Sequence, residues 1–264
     1  MNNRTDEYRE KADYCEEMAR KAHTVPQRAA WLKLASHWRE LIARYAPAEA
    51  ERPTGPERRL THRARPVLRI VHDSPTAAPW YAERFFAEMS PSEHFVQLYE
   101  TDRSLSDTLE RFIAGGLASG DAAVVIATPD NQSALSRGLA EKGIDVPVLR
   151  RSGQLLCFDA QETLSRFMVD GWPDDGRFSD VISDALRVAR GSDGRKVRAF
   201  GEMVALLWAE GAHAATLHLE KLWHNACRQE AFSLFCAYPR TCFPEGASDG
   251  MSHVVASHSK VLVG

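Results

Sequence analysis

Apolar residues along this chain come in two rhythms, and each predicts a different element. Residues 122–127 (AAVVIA) and 232–238 (FSLFCAY) are nearly unbroken apolar runs. That is the pattern of strands buried on both faces of a parallel sheet. Residues 197–200 form a shorter run that stops at Gly201, where a sharp turn is expected. After it, Met203, Leu206 and Leu207, and then Leu217, Leu219, Leu222 and Trp223, recur at helical spacing, broken at Gly211. Residues 94–100 (HFVQLYE) and 155–158 read as further strands, and 145–149 and 67–71 (VLRIV) as short strand candidates. Helices are expected over 80–89, 105–117, 131–142, 163–169 and 179–189, and 253–263 reads as helix or strand. Strands alternating with helices of this length predict an α/β fold, a mostly parallel sheet with helices on both faces.

The first 46 residues follow a helical rhythm alone. Trp31, Leu34, Trp38, Leu41 and Tyr45 form one apolar seam, and Tyr8, Ala12, Cys15, Ala19 and Ala22 form another. The break at residues 23–26 has Thr24 as a cap and Pro26 in a first turn, so 1–46 reads as an N-terminal helical hairpin. Two such helices cannot bury both tryptophans between themselves. The hairpin is therefore expected to pack on the main body or on a second copy, with a homodimer through residues 5–46 as one outcome. Residues 47–66 turn to Ala, Pro, Glu, Arg and Gly without apolar period, so 47–91 reads as a linker carrying short elements. The main domain is expected over 92–264.

Charge and cysteine usage narrow the function classes. The net charge is −3, yet residues 1–66 hold 14 Lys and Arg against 10 acidic residues, which leaves 19 against 26 in the remainder. An acidic main body argues against a nucleic-acid surface. No apolar run approaches the roughly 20 residues of a membrane helix, and the polar opening MNNRTDEYREK predicts no signal peptide. Five dispersed cysteines fit reduced thiols in the cytoplasm.

Several familiar motifs are absent from the chain. No phosphate-cradling G-x-x-x-x-G-K-[ST] loop occurs, and Asp102, placed where such a loop would lie, repels phosphate. Gly115-Gly116 reads as a helix end. His224 and Cys227 share a helix face, but nothing has paired-ligand spacing, so no metal site, cofactor or catalytic residue is expected. Glu220 reads as a surface residue pairing with Lys221 or Arg228. Open α/β sheets bind ligands beyond the carboxyl ends of their strands. Glu202, just past one strand end, and Asp159, at another, point there, and Arg198 in a buried strand needs a carboxylate partner or an anionic ligand. His94 and Tyr99 flank the first main strand.

Several separate stretches, in order, resemble the MEDS domain, the methanogen/methylotroph DcmR sensory domain. They are HFVQLYETD (94–102), LLCFDAQETLSRFMVDGWPDDGRF (155–178), VRAFGEMVALLWAEG (197–211), LEKLWHNA (219–226), FSLFCAYP (232–239) and the HS at 258–259. The resemblance implies a RecA/KaiC-like core without its nucleotide loop, serving as a signal-input module for small organic compounds. It also implies a partner such as a histidine kinase or a transcription regulator.

Together these readings predict a cytoplasmic, non-catalytic sensory and regulatory protein with a ligand crevice at the carboxyl edge of the sheet. His94, Tyr99, Asp102, Asp159, Arg198, Glu202 and Tyr238 would line it, with Trp223 as an apolar wall and His258 closing from the tail. Glu202 and Arg198 would be the polar anchors. The alternatives are a divergent nucleotide-binding, ATPase-like enzyme and a structural adaptor that binds no ligand.

Overall fold

The computed structural model describes residues 91–243 without a break, together with 69–72, 86, 254, 258–263 and scattered positions between 9 and 42. In chain order the elements are β1 (Arg69–His72), β2 (His94–Tyr99), α1 (Asp102–Ala118), β3 (Ala122–Ala127), α2 (Pro129–Glu141) and α3 (Val146–Arg151). Then come β4 (Leu155–Asp159), α4 (Ala160–Phe167), β5 (Met168–Val169), β6 (Trp172–Pro173), α5 (Asp175–Arg190) and β7 (Val197–Gly201). The chain continues through α6 (Met203–Ala209), α7 (His213–Glu230), β8 (Ser233–Pro239) and β9 (Lys260–Val263). Among the described residues seven strands form one sheet in the order β1-β9-β2-β8-β7-β3-β4, and every neighbouring pair is parallel. The fold is α/β, as the alternation of buried strands and helices predicts.

The two-residue period of a strand divides the core into two layers. Phe95 and Tyr99 of β2 and Phe235 and Ala237 of β8 pack with α1, α2 and α3. Val96 and Leu98 of β2 and Leu234, Cys236 and Tyr238 of β8 pack with α4, α5, α6 and α7. His94 shares the parity of Val96, so it faces the α7 side, and Tyr99 faces the other.

Several elements differ from expectation for local reasons. The segment 145–149 is helix rather than strand, because the Asp145 side chain caps it by accepting from the Val148 N–H at 3.0 Å. The helix expected to run to 169 stops at Phe167, and Met168–Val169 pairs antiparallel with Trp172–Pro173. Asp170 and Gly171, both at positive φ (51° and 74°), make the two-residue turn between them. Gly201 adopts no special φ. A Cβ there would make only ordinary van der Waals contact with the Trp223 ring, 3.4 Å away, so the expected turn does not account for the glycine. Likewise Gly116 lies within α1, where a Cβ would meet the Arg198 side chain at 2.5 Å.

The sheet reaches back into the segment read as linker, since β1 hydrogen-bonds β9. β9 itself, from the end of the chain, inserts between β1 and β2. Every described position between 9 and 42 is helical. Cys15, Ala19, Trp31 and Ala35 belong to the same buried cluster as α4 to α7. The Lys221 ammonium of α7 lies 5.5 Å over the Trp38 ring, and Arg39 pairs with Glu16. Both tryptophans thus find cover on the main body. Tyr8, Ala22, Thr24, Pro26, Leu34, Leu41, Tyr45 and the 47–66 stretch lie outside the described residues, as does all of 80–89 except Phe86, which is helical.

Candidate functional site

The residues expected to line one crevice fall into two groups. At the carboxyl edge, Glu202 follows β7 directly and is nearly buried. Its Oε2 accepts from the Thr128 N–H at 2.7 Å and its Oε1 from Asn131 Nδ2 at 2.8 Å. The carboxylate therefore ties the end of β7 to the start of α2, and each oxygen keeps a further acceptor position. Tyr99 lies within the electrostatic reach of Glu202 and Asp102, and burial together with those carboxylates pushes its phenol pKa up. Asp102 is exposed in the first turn of α1. Asp159 caps α4, accepting from the Glu162 N–H at 2.7 Å.

Arg198 does not belong to this edge. It stands near the start of β7, and its Nε donates to Asp121 Oδ2 at 3.1 Å and its Nη1 to the Phe112 carbonyl at 3.0 Å. The carboxylate partner demanded by a buried strand arginine is thus internal. Trp223 is core as well, packed edge-on against Phe178 at 5.1 Å and against Gly201. We expect Arg198→Met to lower stability by about 1.5–3 kcal/mol, the usual worth of hydrogen bonds to a charged group. Urea unfolding checks this, and ligand binding should be unchanged in the folded variant.

The second group lies inside the protein, between the sheet and α7. His94 of β2, Glu220 of α7, Cys236 of β8 and His258, just before β9, are all buried. Their donor atoms lie within 4.8 Å of one another. His94 Nε2 is 3.3 Å from Cys236 Sγ and 3.6 Å from Glu220 Oε2. His258 Nε2 is 3.4 Å from the same Glu220 oxygen. The two imidazoles approach to 4.0 Å between centroids, with His224 at 6.3 Å from His94. Tyr238 donates its hydroxyl to Glu220 Oε1 at 2.5 Å. The Nδ1–H of His258 donates to the Val254 carbonyl at 2.7 Å, which leaves the Nε2 lone pair aimed at Glu220.

Burial keeps this group uncharged. It pushes the Glu220 carboxyl up to about 8, against the lowering effect of the Tyr238 hydroxyl. It pulls His258 down to about 3 and His94 well below the usual imidazole range, with the neighbouring histidines adding to the fall for His94. Cys236 is pushed up, and so is Tyr238, both by burial first and Glu220 second. His94 Nδ1, Glu220 Oε2 and His258 Nε2 have no hydrogen-bond partner. Leaving a buried polar atom unpaired costs about 1–3 kcal/mol each, and two of these, Glu220 Oε2 and His258 Nε2, face one another at 3.4 Å.

Of the residues read from sequence, the structure thus gathers His94, Tyr238 and His258 here, and holds Tyr99, Asp102 and Glu202 at the edge. Two members of the buried group were missed. Glu220 is fully buried rather than paired in solvent, and Cys236 supplies the thiol. Thr216, Leu219, Glu220, Trp223 and Cys227 recur on the buried stripe of α7, and that spacing was a readable signal for Glu220. The helix-borne pair His224 and Cys227 does not form the cluster, because Cys227 Sγ donates to the Phe232 carbonyl at 2.9 Å.

Among the described residues no helix is long and apolar enough to cross a membrane. No curated protein matches the chain. Residues 93–259, from just before β2 to just before β9, match the family described as MEDS, the methanogen/methylotroph DcmR sensory domain. That span takes in both groups of residues and more than half of the chain: this protein belongs to the MEDS family of sensory domains.

Proposed function

We propose that this protein is a non-catalytic, cytoplasmic signal-input protein that binds a small organic compound at the carboxyl edge of its sheet and signals through a partner protein. Membership of a sensory-domain family carries the reading. The site it points to is the edge at Tyr99, Asp102 and Glu202. There a phenol and a carboxylate with spare acceptor positions stand beside the apolar ends of β2 and β7. A ligand there would act on α6, which starts just after Glu202 and packs against α7, whose Lys221 touches Trp38 of the N-terminal helical segment. That segment, with Leu32 and Val25 exposed, is our candidate for the surface that meets a histidine kinase, a transcription regulator or a second copy.

A thermal-shift screen tests this. A panel of small organic and halogenated compounds, with ATP and Mg²⁺ alongside, is run on wild type, Tyr99→Phe and Glu202→Gln. An organic compound should raise the melting temperature of wild type, as any native-state ligand must, and should lose most of that effect in both variants. A shift retained in both would remove the edge assignment. A shift with ATP alone would favour the nucleotide-dependent enzyme.

A further inference from the structure

We propose that His94, Glu220, Cys236 and His258 form a binding site for one divalent transition-metal cation of the zinc class, which fastens the C-terminal segment to the sheet and α7. This site is separate from the edge crevice and does not depend on the sensory reading.

Geometry is the first support. A tetrahedral zinc ion with bonds of about 2.0–2.3 Å holds neighbouring donors about 3.3–3.8 Å apart. The three close donor separations are 3.3, 3.6 and 3.4 Å, and no pair of the four atoms exceeds 4.8 Å. Each observed contact is therefore close to an edge of the required tetrahedron.

Donor chemistry is the second. Imidazole, thiolate and carboxylate are the zinc ligand types, and one thiolate with one carboxylate would neutralise the cation, which suits a site sealed from water. Hydrogen bonding of the outer groups points the same way. His258 donates its Nδ1–H to a backbone carbonyl, so Nε2 is the nitrogen free to ligate, and Tyr238 holds the non-ligating oxygen of Glu220. Supporting bonds of this kind orient metal ligands.

Without a cation, the contact between His258 Nε2 and Glu220 Oε2 brings two acceptor atoms together and needs the carboxyl proton between them. A cation satisfies both atoms at once. The four ligands come from β2, α7, β8 and the segment before β9, where the Ser259 N–H and hydroxyl also donate to the His94 carbonyl at 2.8 and 2.7 Å. A cation here would thus join the chain terminus to the centre of the sheet.

Cobalt(II) is the probe, since it reports coordination number and thiolate ligation by absorption. The reduced full chain, stripped with a chelator, is titrated with cobalt(II) and then zinc(II), with circular dichroism confirming the fold. We expect one cobalt per chain, intense ligand-field bands typical of four-coordination, a thiolate-to-cobalt charge-transfer band, and displacement by zinc. Cys236→Ser should abolish the charge-transfer band, whereas Cys227→Ser should retain it. Glu220→Gln and His258→Ala should each weaken binding at least about 10-fold. A wild-type chain that takes up neither metal, or shows only weak six-coordinate bands, overturns the proposal. So does a charge-transfer band that survives Cys236→Ser. Should that variant fail to fold, the wild-type spectrum still decides.

Discussion

Metal-free protein will be most stable near pH 6.5, losing about 1.5 kcal/mol by pH 8 and several kcal/mol toward pH 4, and Glu220→Gln will remove most of that alkaline loss. The Glu220 carboxyl titrates near 4.5 when unfolded and at about 8 in the native protein. Between those values the native state holds a proton that the unfolded state has released, so this contribution is full below 4.5 and is lost as pH rises through 8. The histidines act in the opposite sense. His258 falls from 6.5 to about 3 and His94 falls likewise, so below 6.5 the unfolded state binds protons that the native state refuses. Two histidine losses outweigh one carboxyl gain between 6.5 and 4.5, and between 6.5 and 8 the carboxyl dominates. Cys236 and the other thiols, also pushed up by burial, add their own loss only where unfolded cysteines ionise, at about 8.5 and above, so the comparison ends at pH 8. Urea midpoints from pH 4 to 8 on chelator-treated wild type and Glu220→Gln check this. An unchanged alkaline limb in the variant would mean that Glu220 is not the group responsible.

Phe235→Ala should cost about 3–5 kcal/mol, a large share of the 5–15 kcal/mol typical of a folded domain. Phe235 is fully buried on β8, a central strand of the sheet. Its ring stacks on Phe95 at 4.5 Å and meets Phe200 at 5.0 Å and Phe112 edge-on at 5.8 Å. Removing it opens a cavity walled by three rigid rings held by β2, β7 and α1, and none of these can collapse inward without moving a strand or a helix. The exposed Val188 of α5, replaced by Ala, provides the contrast and should stay within about 0.5 kcal/mol. A Phe235→Ala cost below about 1 kcal/mol in chemical denaturation would show that this aromatic layer is not packed as described.

These two experiments probe opposite faces of β8, and that difference marks how far the sequence could be read. The apolar runs at 122–127 and 232–238 and the helical spacing from Met203 to Trp223 determine buried strands alternating with amphipathic helices. Burial on both faces leaves a parallel sheet as the natural outcome, so the α/β class follows from local pattern. The demand for a partner to Arg198 was legible too, because a charged group in a buried strand cannot stand alone. Its identity as Asp121 was not, because that contact depends on how α1 returns to the start of β3 and β7.

The sites depended still more on the fold. Tyr99 and Leu98 are adjacent in sequence yet face different layers, and which layer carries α7 is set by the crossovers, not by β2 itself. Short terminal residues such as Lys260–Val263 have too little pattern to announce a strand in the body of the sheet, and the sheet decides by offering β2 an unpaired neighbour. The buried group takes His94, Glu220, Cys236 and His258 from four elements, and the contacting pair His94 and Cys236 is separated by 142 positions along the chain. No local spacing encodes such a meeting. The sequence by itself determined the layers and most of their chemistry-bearing residues, Glu220 and Cys236 excepted, because hydrophobic periodicity is a property of near neighbours. Only the tertiary structure decided which of those residues share a site, because strand order and the insertion of β9 are set by packing over the whole chain.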